Sequence, residues 1–365
     1  MQHVIMKYFF TILFLSVCLT AFGCSKSDSP VNPATQNPGG GTIKPIKGRP
    51  ASIGIIGDTT NVITTVNGGI VLMGGGSDVT PAFKWMMDRS GGGDVVIIRV
   101  TGTDAYNDYV NKIGNVNSVE TLKIDSRELA NNDTVANIIR NAEMLFIAGG
   151  DQSNYMRLWK GTKTEAALNY LLQEKKAPFG GTSAGCAILG GFYYSGENGS
   201  VVSDEALANP YHERINLYNK DFLKAPYLDQ VITDQHYVAR SREGRSVIFL
   251  GRIQKDFKVL ANAIAMDERT AVCIDKNGIA QVFGSSTAYF LLPDITKLPE
   301  QFIANQPVHW KHNHEAIQVY EIPGTPEGNG HFNLANFNTL EARGGTWFWW
   351  SVDNGKLVKV EKNNK

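Results

Sequence analysis

Short apolar runs alternate with helical segments along the middle of the chain. Runs of Val, Ile and Leu bounded by glycine predict buried strands, and apolar residues recurring every three to four positions predict amphipathic helices. The strand-like runs are GIVLMGGG, GDVVIIRVTG, VETLKID, LFIAGGDQ and APFGGTSAG, and the clearest helical segment is YMRLWKGTKTEAALNYLLQEK. Continuous apolar strands separated by helices are typical of a parallel, doubly wound sheet, so the pattern predicts an α/β fold.

Three of the predicted strands end in glycine, at Gly74, Gly149 and Gly181. Ligands of open parallel sheets bind beyond the carboxyl ends of the strands. We therefore expect these three turns to surround one site. The first of them, MGGGSD, resembles a phosphate loop but lacks the lysine of a Walker motif. It is expected to shape the rim of the site.

Both ends of the chain depart from this pattern. Residues 25–49 are rich in Pro, Gly, Asn and Ser and have almost no large apolar side chains, which predicts a flexible linker. Residues 293–365 are aromatic and strand-like, with a hairpin signal at Asp353-Asn354-Gly355. The expected organisation is a core domain over residues 50–292 followed by a C-terminal β-rich extension.

The first 24 residues have the pattern of a targeting segment. Lys7 precedes the apolar run YFFTILFLSVCLTAF, which is too short for a comfortable membrane span and is typical of a signal peptide. The following Gly23-Cys24 resembles a bacterial lipobox, in which Cys24 becomes the lipidated first residue. We expect an exported lipoprotein anchored in a membrane, facing the periplasm or the cell surface. Ordinary signal cleavage nearby is the alternative.

Composition excludes some functions and leaves others open. The 365 residues include 35 basic and 35 acidic side chains, so no overall field favours nucleic acid. Cys186 and Cys273 are expected to be buried free thiols. His309, His312 and His314 lie close together, but no further ligand completes a convincing set, and we predict neither a metal nor an organic cofactor.

A serine stands at the end of the predicted strand APFGGT. Gly181-Thr182-Ser183-Ala184-Gly185 has the G-x-S-x-G form of a nucleophile elbow, a tight turn between a strand and a helix. The alternative is a small residue where two elements pack closely. A nucleophilic serine needs a base, and His236 ends another β-branched run, VITDQH, at the same predicted edge.

Four separated motifs in order resemble the cyanophycinases of the S51 serine peptidase family. They are GGDQ from Gly149, GGTSAG from Gly180, DQH from Asp234 with the arginines that follow it, and MDERTAVCID from Met266. The resemblance covers about residues 69–290. It implies a flavodoxin-like fold, related to the class I glutamine amidotransferases, which agrees with the parallel sheet predicted above.

The resemblance also implies catalytic roles. Ser183 is the expected nucleophile and His236 the expected base, and the backbone N–H groups of Ala184 and Gly150 are the natural donors to an oxyanion. The family places an acidic residue between the serine and the histidine in sequence. Glu205 is the preferred candidate, ahead of Asp204 and Glu197.

The expected substrate follows from the same resemblance. Cyanophycin is a polyaspartate that carries an arginine on each β-carboxylate, and the positions matching the family's binding site are Gln152, Asp234, Gln235, Arg240, Arg242 and Arg245. Arginine forks suit carboxylates, and a carboxylate suits guanidinium groups. We expect hydrolysis to β-Asp-Arg dipeptides. The alternatives are an S51 peptidase for other Asp- or Glu-containing peptides, a catalytically silent cell-surface binding protein, and a glutaminase on the related fold, whose elbow carries cysteine. The family often forms homodimers, which the residues themselves do not decide.

Overall fold

The computed structural model describes residues 46–362, except for the side chain of Asn338. The predicted signal peptide, Cys24 and nearly all of the predicted linker lie outside the described residues. Across the described range, no helix has both the length and the apolar character needed to cross a bilayer.

A ten-stranded sheet contains the predicted parallel strands. In spatial order its strands are β1 (Ser52–Gly57), β4 (Ser118–Lys123), β3 (Asp94–Arg99), β5 (Met144–Ile147), β6 (Phe179–Thr182), β2 (Gly69–Met73), β11 (Thr270–Asp275), β12 (Ile279–Gly284), β15 (Gly330–Asn333) and β16 (Asn338–Arg343). The five strands from β4 to β2 run parallel, and the outer ones pair antiparallel. When the four strands β3 to β6 are renumbered 1 to 4 in chain order, their spatial order β4-β3-β5-β6 becomes 2-1-3-4. This is the strand order of a flavodoxin-like sheet, and it confirms the predicted fold class.

The second sheet of the fold has eight strands. In spatial order its strands are β18 (Lys356–Glu361), β17 (Thr346–Asp353), β14 (Ile317–Pro323), β13 (Thr287–Pro293), β10 (Asn262–Met266), β9 (Val231–Gln235), β7 (Phe192–Tyr194) and β8 (Leu217–Asn219). Strands β7, β9 and β10 are parallel to one another. Residue Met266 pairs with Gln235, so β9 and β10 end at the same edge.

Nine α-helices connect these strands within the described range. Their bounds are α1 (Thr80–Arg89), α2 (Ala105–Ile113), α3 (Arg127–Ala130), α4 (Asp133–Asn141), α5 (Gln152–Trp159), α6 (Lys163–Tyr170), α7 (Ala184–Ala187), α8 (Ser203–Ala208) and α9 (Glu243–Phe257). A π-helical turn follows α6 at Leu171–Lys175, and a 3₁₀ turn covers His312–His314. Cys186 and Cys273 are buried free thiols, as predicted.

The core is layered around the two sheets. Helices α1 and α2 cover one face of the first sheet, where Val71 and Val95 pack against Phe83 and Val110. The opposite face packs with α4 to α6 and with one face of the second sheet in the largest apolar cluster. Helix α9 covers the remaining face of the second sheet. Both faces of the parallel strands are therefore buried, which explains why they are continuous runs of Val, Ile and Leu.

The aromatic C-terminal residues extend both sheets. After Pro293, strands β14, β17 and β18 continue the second sheet, while β15 and β16 continue the first. Trp310 and Trp350 are buried in the apolar cluster of the second sheet, together with side chains of α9. Residues 293–362 thus complete sheets that begin in the core domain.

Candidate active site

Ser183 lies on the tight turn that joins β6 to α7. Its backbone has a φ of +53°, a conformation that side-chain-bearing residues rarely adopt and that costs of order 1–3 kcal/mol. The glycines on either side make the turn possible, because a Cβ added to Gly181 would lie 2.5 Å from the carbonyl carbon of Gly185. The strain and the close packing together give the geometry of a nucleophile elbow.

His236 follows the last residue of β9 and meets the serine. The Oγ of Ser183 lies 2.7 Å from Nε2 of His236, within hydrogen-bonding distance. The imidazole is buried, with 5% of the residue exposed, and its backbone N–H donates to the carbonyl of Gly74. The serine of the first sheet and the histidine of the second thus come together at one edge.

The third member of this chain of contacts is Glu268. Its Oε1 lies 2.7 Å from Nδ1 of His236. When Nδ1–H donates to this carboxylate, Nε2 is left as the acceptor for the serine hydroxyl. Ser183, His236 and Glu268 therefore have the hydrogen-bonded arrangement of a serine hydrolase triad.

The prediction that Glu205 faces the histidine is wrong. Glu205 lies in the first turn of α8, where its carboxylate accepts the backbone N–H of Val202 at 3.1 Å and pairs with Arg214 at 3.0 Å. Asp204 lies in the same turn, and Glu197 accepts a hydrogen bond from Tyr218. All three carboxylates belong to the segment after β7, and none takes the place of Glu268.

Glu268 follows the histidine in sequence, whereas the family resemblance implies an acid between the serine and the histidine. It lies two residues beyond β10, and β10 pairs in parallel with β9. The turns after both strands consequently meet at one edge of the sheet. The available signal was the segment MDERT, in which an apolar strand ends directly in two acids. The neighbouring Asp267 accepts the N–H groups of Val238 and Ala239, and so orders the loop after the histidine.

The glycine run Gly74-Gly75-Gly76 packs against two members of the triad. A Cβ on Gly75 would lie 2.3 Å from Cε1 of the His236 ring, and one on Gly76 would lie 3.0 Å from Cβ of Glu268. Gly75 also has a φ of +94°. The run therefore forms a close wall beside the imidazole, where a larger residue would displace the ring.

The surroundings keep His236 neutral. Burial lowers the pKa of His236 to about 4, and the positive charges of Arg240 and Arg242 act in the same direction. The hydrogen bond with Glu268 opposes this effect. A neutral imidazole at physiological pH can accept the serine proton.

The predicted oxyanion donors lie next to the nucleophile. Ala184 is the first residue of α7, a position whose N–H has no acceptor within the helix itself. The Gly149-Gly150 turn is adjacent, because a Cβ on Gly149 would lie 3.3 Å from Cβ of Ser183. The assignment of the Ala184 and Gly150 N–H groups to an oxyanion stays a prediction.

Four of the predicted substrate-binding residues flank the triad. Gln152 begins α5, whose N-cap Asp151 follows the Gly149-Gly150 turn, and it is half-buried. Gln235 precedes the histidine, and its carbonyl accepts a hydrogen bond from Arg242 at 2.8 Å. Burial lowers the pKa of Arg242 to about 9 and also lowers that of Arg240, which lies in the field of Glu268. Their contacts with substrate stay predictions.

Asp234 and Arg245 are engaged with each other. Arg245 of α9 donates to both carboxylate oxygens of Asp234 on β9, at 2.5 and 2.9 Å, and Ser246 adds a third hydrogen bond. The two side chains are 3% and 1% exposed. Burial alone would raise the pKa of Asp234, but the guanidinium holds it below its usual value. This corrects the prediction of direct substrate contact, since neither group has a free surface.

The three C-terminal histidines have separate partners. His309 lies 3.4 Å from Asp353, His312 lies 2.6 Å from the carbonyl of Leu298, and His314 lies 3.3 Å from Ser351. Among residues 46–362, no group of three His, Cys, Asp or Glu side chains is arranged to hold a metal ion.

The known proteins that this chain resembles are peptidases and cyanophycinases. A sequence profile described as peptidase family S51 matches residues 70–282, a span that contains Ser183, His236 and Glu268. A cyanophycinase of Synechococcus elongatus is 26% identical over 249 residues, which cover 65% of this chain and 72% of that protein. A cyanophycinase of Trichormus variabilis is 24% identical over 192 residues, which cover 52% and 59% respectively. Among solved structures, a peptidase from an acI-B1 Actinobacterium has 15% identity and a TM-score of 0.45, covering 62% of this chain and 91% of the other.

Proposed function

Because the chain belongs to peptidase family S51, we propose that it is an exported, lipid-anchored serine peptidase that hydrolyses cyanophycin to β-Asp-Arg dipeptides. The observation that carries the proposal is the continuous chain of hydrogen bonds from Ser183 through His236 to Glu268, with both links at 2.7 Å. A silent binding protein has no need of this arrangement.

The three residues divide the chemistry of acyl transfer. His236 takes the proton from Ser183 Oγ as that oxygen attacks the scissile carbonyl, and Glu268 stabilises the imidazolium that forms. The imidazolium then gives the proton to the departing amine, which leaves an acyl ester on the serine. Water attacks this ester with His236 again as base, releasing the acid and restoring the hydroxyl.

The oxyanion of each tetrahedral intermediate would be held by backbone donors. The N–H groups of Ala184 and Gly150 are at the elbow and at the adjacent turn, fixed by the fold before substrate arrives. Loss of one such donor typically costs about 3–4 kcal/mol of transition-state stabilisation.

The basic side chains beside the triad support an acidic substrate. Arg240 and Arg242 follow the catalytic histidine, and Gln152 begins α5, two residues after Gly150. Cyanophycin presents a carboxylate on every arginyl branch, which arginine forks can bind with two parallel hydrogen bonds. The relatives named above are cyanophycinases, which favours this polymer as the substrate.

Export and anchoring would place the enzyme where a polymer outside the cytoplasm can reach it. The sequence pattern ending in Cys24 supports a lipid anchor, and the Pro- and Gly-rich residues 25–49 would separate the catalytic domain from the membrane. Replacing Cys24 with serine should release the protein from membranes.

The test is to incubate the purified protein with insoluble cyanophycin and identify the products by mass spectrometry. We expect β-Asp-Arg from the wild type and none from Ser183→Ala, which should keep its melting temperature. Ser285→Ala, at an exposed serine between β12 and β13, is the matched control and should remain active. Hydrolysis of Asp-Xaa dipeptides without attack on cyanophycin would assign the enzyme to other aspartyl peptides.

A further inference from the structure

A groove runs along helix α5. Its volume is about 510 Å³, within the range of sites that bind small ligands. One wall is α5, and the other is formed by β7, the turn after it, and β8. The lining residues are Ser153, Met156, Arg157, Lys160, Tyr193, Ser195, Glu197 and Tyr218.

One end of the groove, at Ser153, lies three residues beyond Gly150 in sequence, and the Gly149-Gly150 turn packs against Ser183. Gln152, the first residue of α5, reaches the opposite wall, because a Cβ on Gly196 would come within 2.9 Å of its Nε2. Ser153 and Ser195, the neighbours of these two residues in sequence, both line the groove. From Gln152 to Lys160 the helix rises about 12 Å, at 1.5 Å per residue. A substrate chain bound at Ser183 can therefore continue into the groove.

Opposite charges line the two walls. Arg157 on α5 is exposed, and its guanidinium donates to Asn154 at 2.8 Å. Glu197 on the other wall is also exposed and accepts from the hydroxyl of Tyr218 at 3.0 Å. Within the described residues, neither Arg157 nor Glu197 forms a salt bridge, so both charges can meet a ligand.

The wall formed by β7 and β8 contains packed aromatic rings. Tyr193 and Tyr218 stack with centroids 5.4 Å apart and an interplanar angle of 7°. Lys160 lies 5.0 Å from the Tyr218 ring and is held by a salt bridge to Asp221. A rigid wall of this kind loses little conformational entropy on binding.

We propose that this groove binds a second β-Asp-Arg unit of the substrate, outside the unit at the cleaved bond. The inference rests on the proposed function and extends it from a single scissile bond to an extended chain. Each arginyl branch carries an α-carboxylate and a guanidinium. Arg157 pairs with the carboxylate, and Glu197 pairs with the guanidinium. The groove thus makes the enzyme prefer chains longer than two units.

The experiment compares soluble oligomers of two and four β-Asp-Arg units. In wild type we expect a higher kcat/KM for the four-unit oligomer. Arg157→Gln and Glu197→Gln should each reduce this preference about tenfold, through KM, because one charge-assisted contact is lost. The matched controls are Arg140→Gln and Glu128→Gln, at exposed positions on α4 and α3, and both should retain the wild-type preference.

A binding measurement separates this inference from the catalytic proposal. Calorimetry with the four-unit oligomer on Ser183→Ala should show about tenfold weaker binding when Arg157→Gln or Glu197→Gln is added. Unchanged affinity, or equal losses for the two oligomers, would overturn the groove proposal while leaving the peptidase activity in place. Charge-dependent binding without any wild-type turnover would instead overturn the proposed function and keep the groove.

Discussion

At the scale of single residues, the site depends on two strained backbone positions. Ser183 and His236 have φ values of +53° and +49°, although neither is glycine. Such conformations persist only where the surrounding structure enforces them, and they concentrate at functional sites. Here the elbow glycines enforce the first. The wall at Gly75, together with the backbone hydrogen bond to Gly74, confines the second. The result is a hydroxyl and an imidazole held at hydrogen-bonding distance.

Replacing Glu268 separates the observed triad from the one expected from sequence. Glu268→Gln should lower kcat by about 10²–10⁴-fold, since the amide can neither fix the required tautomer nor stabilise the imidazolium. Glu205→Gln is the matched comparison and should leave turnover near wild type, because its carboxylate accepts the Val202 N–H at the start of α8 and pairs with Arg214 instead of the histidine. Steady-state kinetics on cyanophycin oligomers measures both. If the two changes lower kcat by similar factors, Glu268 is not the acid of the catalytic triad.

The pH dependence of activity should report the neutral state of His236. Burial and the charge of Arg240 disfavour the imidazolium and lower its pKa, so the base stays available below the usual value of about 6.5. The acid limb of kcat/KM should accordingly lie below pH 6.5.

Arg240→Gln removes a positive charge that opposes protonation, so it should move this acid limb to higher pH. Arg140→Gln, which removes an exposed arginine on α4, should leave the limb in place. A pH profile of kcat/KM for each variant checks the sign. A downward movement for Arg240→Gln would contradict the assigned electrostatics.

At the scale of secondary-structure elements, parallel pairing determines which loops meet. Ser183 follows β6 of the first sheet, while His236 and Glu268 follow β9 and β10 of the second. The prediction that a strand-end histidine would meet the elbow is confirmed by the 2.7 Å contact. The pairing of β9 with β10 is set by the tertiary structure. No local sequence pattern near His236 predicts that its acidic partner lies 32 residues later.

The buried pair of Asp234 and Arg245 joins β9 to α9, and it should be structural. Arg245→Ala leaves a buried carboxylate without its partner, which typically costs about 3–5 kcal/mol of stability. Lys255→Ala, at an exposed position near the end of the same helix, should cost less than about 0.5 kcal/mol. Denaturant unfolding measures both values. An Arg245→Ala variant of wild-type stability but weakened substrate affinity would restore direct binding as its role.

At the scale of the whole molecule, the C-terminal strands support the catalytic edge. Trp350 of β17 is fully buried, and its ring stacks at 6.4 Å on Tyr237, the residue directly after the catalytic histidine. Tyr289 of β13 lies against both rings. The extension predicted from aromatic residues therefore contributes part of the packing behind the site.

Removing this packing should affect stability and activity together. Trp350→Ala is expected to cost about 3–5 kcal/mol of unfolding free energy, because it opens a large cavity in the second sheet's core. Activity should fall at temperatures where the variant remains folded, since Tyr237 loses its support. Ile295→Ala, at a position 59% exposed, is the control and should change neither. Thermal unfolding measures the loss of stability, and kinetics at low temperature measure the loss of activity. A Trp350→Ala variant with wild-type stability and activity would contradict both expectations.

The sequence by itself determined the features that depend on local pattern. Glycine-bounded apolar runs predicted the parallel sheet, and G-x-S-x-G predicted the elbow, because each is set by residues within a few positions of one another. Only the tertiary structure decided the rest. In the tertiary structure His236 hydrogen-bonds Glu268, Asp234 forms a salt bridge with Arg245, and the last strands of the chain pair into both sheets. These contacts join residues that are distant in sequence, and their energies depend on burial and register that no local segment specifies.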